Sequence, residues 1–411
     1  MEKTMVGQRL REARIAAGMT QDEVIAALGR AGSPLTKAGL SKYERGGSVP
    51  KAPMIRSLAR VLRVRPDYFF HEPQFTVTWL AFRKAATLGK KRQERVKLEA
   101  AKMVEAILTL VQALHADTDA AGEIVQPIAV HNLDDVEAAA ERLRNSWRLG
   151  EQPIDSVTDT IETRGGIVAE ANDDEAPDFD GLSGWANERV PVTVVSKRTP
   201  DDRRRFSLAH ELGHLFMDCG GIDAKTEERW AHRFAAAFLV PRRVVHQELG
   251  ERRRRLNFKE LAILKLKHGL SMQAWIYRAH DLGIIDDSHK QTLFADFSAR
   301  GWRRDEPVQY EGREQPQRLK QLAARAFAEG VITQERAEQV CPGVTQDLIE
   351  TTSATAESLD PRNLRQLPRA DRDRLLKQAA ELIRDEYRDQ GDLSGIEFLA
   401  EEDHHDEQPP D

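Results

Sequence analysis

Residues Arg203–Asp218 read RRRFSLAHELGHLFMD. Phe206, Leu208, Leu212, Leu215 and Phe216 recur at helical spacing, which predicts a buried helix from about Arg203 to Met217. Positions i and i+4 share one face of a helix, so His210 and His214 offer neighbouring imidazoles to a single ion. Glu211 stands beside the first of them, within reach of a water on that ion. Zinc would lower the pKa of such a water from about 15.7 towards about 7, and the carboxylate would complete its activation and later protonate a leaving amine. A chance match to this five-residue pattern in a chain of 411 residues has a probability on the order of a few per cent, so the motif needs support. The plain alternative is a surface helix that happens to carry two histidines and a glutamate. The apolar flanks argue against it, because they predict burial, where His and Glu need a reason to be.

A catalytic zinc takes three protein ligands and leaves one position open. The carboxylates downstream are Asp218, Asp223, Glu227 and Glu228. Asp218, four residues after His214, suits an acceptor for an imidazole N–H. Glu228 opens a second helix expected over about 226–239, WAHRFAAAFLVP, stopped by Pro241. His232, one turn further, could steady an oxyanion, support a ligand from behind, or be an ordinary surface histidine. Cys219 would close the open position if it were a ligand, so it reads as structural.

Upstream of this pair, helices are expected over 132–150 and near 154–163, then short apolar segments at 166–170, 180–186 and 190–196. PVTVV within the last is rich in β-branched residues, and the three predict a small antiparallel sheet. Residues 71–115 read as a linker followed by a long helix with Val96, Met103, Val104, Ile107, Leu108 and Val111 on one face. That face suits a packed connector better than a dimerisation helix, and a homodimer stays open. Residues 257–299 and 314–390 are helical in pattern, and EEDHHDEQPPD ends the chain as an acidic tail expected to be disordered.

The N-terminal 70 residues carry a different message. They hold 13 Lys and Arg against 6 Asp and Glu, although the whole chain has a net charge of -6. A basic head points to a polyanionic partner. Val6, Leu10, Ala13 and Ala17 outline a first helix stopped by Gly18. TQDE, from Thr20 to Glu23, is a capping-box signature for a second, and Thr36 can cap a third that turns Leu40 and Tyr43 inward. Two cysteines make no disulfide framework and suit a reducing cytosol. No run approaches ~18 apolar residues, so no membrane span is expected.

With these residues in view, FSLAHELGH followed by ERWAHRFAAAFLVP resembles the ImmA/IrrE metallopeptidases over roughly residues 132–308. The resemblance implies an α+β, zincin-like domain with Zn2+ held by His210, His214 and Glu228, the last being the family's third ligand, and Glu211 as the catalytic base. It implies a narrow cytosolic endopeptidase that cuts a partner, typically a repressor. His232 stands where that family usually has Asn, and Ser196-Lys197 replace a common Asn. Residues 6–70 resemble the Xre/Cro helix-turn-helix, through GQRLREARIAAGMTQDEVIAALG and LTKAGLSKYERG. That likeness implies double-stranded operator DNA as a partner. Thr36, Lys37, Ala38, Ser41 and Lys42 would lie at base edges, with Gln21, Arg45 and Lys51 on phosphates. A helical protein-interaction module is the alternative for this segment. The expected whole is mainly α: a helix-turn-helix domain (1–72), a linker and connector helix (73–130), a peptidase domain (131–308), a helical C-terminal region (309–398) and an acidic tail (399–411). The competing reading is a transcriptional regulator whose peptidase-like domain senses or binds without hydrolysis.

Overall fold

Period-two alternation along three strands decides how the central sheet buries its faces. In this computed structural model, which describes residues 2–70, 75–80, 89–115, 126–171, 179 and 181–346, those strands are β3 (Ile167–Ala171), β4 (Gly181–Ala186) and β5 (Val190–Ser196). Ile167, Ala169, Ala171, Leu182, Ala186, Val192 and Val194 face one core, which they share with Val96, Val104, Ile107 and Val111 of the long helix α5 (Lys90–Ala113). Val168, Trp185 and Val195 face the other core, built around α8 (Asp201–Phe216). The apolar stripe of α5 is thus consumed within the chain, as a packed connector requires.

The sheet order is β1-β4-β5-β3, where β1 is Val77–Trp79. β1 and β5 each run antiparallel to β4, but β3 runs parallel to β5, so the sheet is mixed and not the purely antiparallel one expected. Alternation specifies which side chains face inward, and it is the same for either strand direction. β1 lies in a stretch read as linker. Its signal was FTVTWL at 75–80, a short alternating run of β-branched and aromatic residues.

On the α8 side, α6 (Leu133–Ser146), α7 (Val157–Thr163) and α9 (Ala224–Leu239) enclose the largest core, continued by α10 (Arg242–Leu249), α11 (Phe258–His268), α12 (Met272–Asp281) and α13 (Asp287–Ala299). A two-residue strand β2 (Ile128–Ala129) pairs in parallel with β6 (Met217–Asp218) at the end of α8. The segment after α13 belongs to this body. Glu314, fully buried, accepts from the backbone N–H groups of Val157 and Thr158 at 3.1 and 2.9 Å, and α14 (Arg318–Ala328) sets Leu319 and Leu322 against the α5 core.

The N-terminal helices are α1 (Glu2–Ala16), α2 (Gln21–Arg30), α3 (Lys37–Glu44) and α4 (Ala52–Leu62), followed by a 3-10 turn at Pro66–Phe70. Thr20 and Glu23 form the capping box reciprocally, and Thr36 caps α3 through Gly39 N–H at 3.1 Å. Their core, with Val6, Leu10, Val24, Leu28, Leu40, Leu58 and Phe69, is separate from the other two. Arg9 links it to α5 through Glu105 at 3.4 Å. Met1–Val331 form one compact unit. The described residues from 332 to 346 belong to a second, in which α15 (Gln334–Val340) is the described helix. The expected acidic tail and most of the expected C-terminal helical pattern lie outside the described residues. Among the described residues no helix is long and apolar enough to cross a membrane.

One buried ionic cluster ties α6, α9 and α12 together. Glu137 takes both Arg233 and Arg278, the latter also through Nη2–Oε2 at 2.7 Å, and Arg278 is fully buried. Burial alone would raise the Glu137 carboxyl; the two guanidinium groups outweigh that and hold it below its ordinary 4.5. Glu137→Gln leaves the buried Arg278 without an anionic partner, while Arg233 keeps Asp281 at 3.1 Å, and should cost about 3–5 kcal/mol in denaturant unfolding at neutral pH. Because the folded pKa is depressed, the carboxylate's contribution is full above about 4.5 and is lost as the pH falls through the lower folded value. The gap between wild type and variant should therefore close only in acid. A gap that stays constant down to pH 3 would contradict this.

Candidate active site

The site begins with a missing side chain. Gly213 lies on the face of α8 that meets α9, and a Cβ there would stand 3.2–3.3 Å from Phe234. That is tighter than a side chain comfortably accepts, so glycine lets the two helices close together. At that separation Glu228, on the first turns of α9, reaches across to both histidines of α8.

Three donor atoms then converge. His210 Nε2 and His214 Nε2 are 3.1 Å apart, His210 Nε2 is 3.4 Å from Glu228 Oε2, and His214 Nε2 is 3.4 Å from Glu228 Oε1. His210 is buried; His214 and Glu228 are partly so. Glu228 Oε2 and His210 Nδ1 are buried with no hydrogen-bond partner among the described residues. Burial would raise the Glu228 carboxyl, but His210 and His214 pull it well below the usual carboxylate range. A wider triple, His210, Glu228 and His232, has its atoms within 4.8 Å of one another. The first triangle is the better candidate cradle because its edges are shorter and His232 is solvent-exposed. His232 stacks on Phe206 and its ring centroid is 4.6 Å from that of His210, at the rim of the triangle.

The structure distributes the remaining carboxylates differently from their spacing. Asp218 is exposed and accepts from Gly220 N–H at 3.1 Å, which closes a turn after β6 and leaves it no imidazole. The carboxylate behind His214 is Glu227, whose Oε1 is 3.4 Å from His214 Nδ1. Helical spacing along α8 alone favoured Asp218; α8 ends at Phe216, so Asp218 no longer lies on its face. Cys219 lines the cleft and packs on the main core, outside the triangle.

Glu211 is buried against β4. Its Oε2 accepts from Ser183 Oγ at 2.8 Å, and its Oε1 lies over Gly181, where a Cβ would come within 2.5 Å. Neither strand residue stood out in the sequence. The available signal was GLSGWA, in which alternation puts Gly181, Ser183 and Trp185 on the face towards α8. Leu80, Phe206 and Ile222 complete the apolar part of the cleft above these groups.

At the other end of the chain, Thr36, Lys37, Ala38, Lys42 and Arg45 are exposed along α3, and Ser41 is half-buried. Lys37 Nζ also pairs with Asp22 at 2.7 Å. The Gln21 amide donates to Glu44 at 2.8 Å, and Glu44 in turn receives both Arg14 Nε and Nη2. Gln21 therefore helps to brace α2 against α3.

Comparison with known families agrees with these two halves. Residues 6–68 match the family model described as a helix-turn-helix domain. Residues 163–280 match that of the peptidase M78 family, described as the IrrE N-terminal-like domain. No curated protein matches the chain. The matched segments hold α3 at one end and the His210, Glu211, His214 and Glu228 cluster at the other. Two segments of the chain are thus similar to known families, residues 6–68 to a helix-turn-helix domain and residues 163–280 to the IrrE N-terminal-like domain of the peptidase M78 family.

Proposed function

We propose that the protein is a DNA-binding zinc endopeptidase that cleaves a regulatory protein. The observation that carries this reading is the triangle of His210, His214 and Glu228, with edges of 3.1, 3.4 and 3.4 Å. Ligand atoms about 2.0–2.1 Å from a tetrahedral zinc stand roughly 3.3 Å apart, so this donor set fits that ion and leaves a fourth position for solvent. When bound, zinc supplies a Lewis acid that polarises a peptide carbonyl and acidifies water. Glu211 takes the proton of the attacking water and returns it to the leaving amine. Glu227 orients the His214 ring through Nδ1. His232, steadied on Phe206, stands where it can donate to a developing oxyanion. The cleft over these groups has both polar and apolar walls, which suits a polypeptide segment.

The helix-turn-helix domain ties this chemistry to DNA. Thr36, Lys37, Ala38, Ser41 and Lys42 face base edges from α3, while Arg45 and Lys51 contact phosphates. Gln21 contributes to the same surface if its amide exchanges Glu44 for a phosphate. A repressor bound near the same operator is the substrate class that this arrangement favours, as in stress response or mobile-element control.

Glu211→Gln should keep about one zinc per chain, abolish cleavage and retain the substrate, so that the cut protein co-purifies and can be identified. Glu228→Ala should lose the metal itself. Hydrolysis undiminished in Glu211→Gln would sink the mechanism; metal binding with no hydrolysis by wild type would favour a sensor. For the DNA surface, a duplex selected from a random library serves as probe. Lys42→Ala should lower discrimination between that duplex and random DNA by about 1–3 kcal/mol. Arg45→Ala should weaken both equally and reduce the salt slope by about one. Discrimination unchanged in Lys42→Ala would remove α3 from base readout.

A further inference from the structure

We infer that Ser183 is a positioning residue for Glu211: its hydroxyl holds one carboxylate oxygen so that the other is aimed at the water to be activated. This rests on the peptidase reading above and extends it to a residue on a different element, 28 positions away in sequence. A glutamate side chain has three rotatable bonds, and proton transfer needs it within about 2.6–3.2 Å of its target. Something must remove that freedom. Ser183 is 2% exposed, and its Oγ donates to Glu211 Oε2 at 2.8 Å.

The donor is itself rigid. Ser183 pairs with Thr193 of β5 on one side, and on the other its carbonyl accepts from Leu80 N–H at 2.9 Å. Two residues along the same face, Gly181 leaves bare backbone under Oε1. The two carboxylate oxygens therefore have distinct surroundings: Oε2 is spent on the hydroxyl, and Oε1 is left with its lone pairs unclaimed by β4. A serine has one hydroxyl proton to give, so the bond pins one carboxylate oxygen, and with it the place of the group, and leaves the other oxygen free. An alanine at 183 would leave the charged group to find its own rotamer in the cleft.

The test uses the zinc-loaded full-length chain and its Ser183→Ala and Ser183→Thr variants. Ser183→Ala should keep zinc content and thermal midpoint, while crystal structures show the Glu211 carboxylate rotated or spread over two rotamers. On the substrate captured with Glu211→Gln, kcat should fall about 10- to 100-fold with KM within about twofold, as a misplaced catalytic group implies. Ser183→Thr, which keeps the hydroxyl, should restore both the rotamer and most of the rate. A Glu211 side chain unmoved in Ser183→Ala, or an unchanged kcat, would overturn the inference. So would loss of zinc or of folding in Ser183→Ala that Ser183→Thr also shows, since that would make the residue structural. Failure of the peptidase reading looks different: wild type would then bind zinc without cleaving the captured protein, or Glu211→Gln would cleave as wild type does, whereas failure of this inference leaves wild-type cleavage and its dependence on Glu211 intact.

Discussion

The close crossing of α8 and α9 at Gly213 is the constraint on which the candidate centre depends. Two imidazoles on one helix face can be arranged by helical periodicity alone, but a third donor must arrive from elsewhere. It does so because nothing projects from Gly213 to hold Phe234 away. Phe234 is fully buried and stacks in parallel with Phe238, one turn further along the same helix. The glycine between Leu212 and His214 thus carries as much of the site as the histidines do. It adds no group of its own, and its contribution is the distance at which Glu228 stands.

Holding two helices that close, with carboxylates and imidazoles between them, requires a rigid surround. Much of that surround is ionic and buried. Arg204 reaches Glu170 on β3 and the carbonyl of Lys197, while Arg205 reaches Tyr310 and the carbonyl of Ile154. Both arginines sit on α8 just before the turn that carries His210. Lys265 closes the same end through Asp202 at 2.7 Å and Glu306 at 2.9 Å. Buried charges of this kind contribute little net stability when paired and cost several kcal/mol when a partner is removed. Their effect is to make one arrangement of α8 against the sheet much better than its neighbours.

The helix-turn-helix end connects to this body through packing. α5 carries one apolar face onto the sheet and bears Glu105, which meets Arg9 of α1. After the helix-turn-helix, the chain first contributes β1 to the sheet, with Leu80 bonded to Ser183, and only then forms α5. The strand that bears the contacts to Glu211 therefore has a neighbour drawn from the connection between the two domains.

Local periodicity and local capping determined much of this protein. HELGH on an apolar helix, the capping box at Thr20, the Thr36 cap and three alternating segments could be read from the chain because each rests on residues a few positions apart. The helices and strands appear within a few residues of where those patterns put them. Strand direction was not legible, since alternation is blind to it, and β3 proved parallel to β5. Nor was the short strand at Val77–Trp79 distinguished from a linker. The carboxylate behind His214 was assigned by helical spacing to Asp218, yet the helix stops at Phe216 and Glu227 approaches from α9 instead. Ser183 and Gly181 were invisible for the same reason: what matters about them is which side chain from another element comes to rest against them. Sequence determined the chemical groups and the faces on which they lie. Only the tertiary structure decided which faces meet and at what distance, because that depends on contacts between segments far apart along the chain.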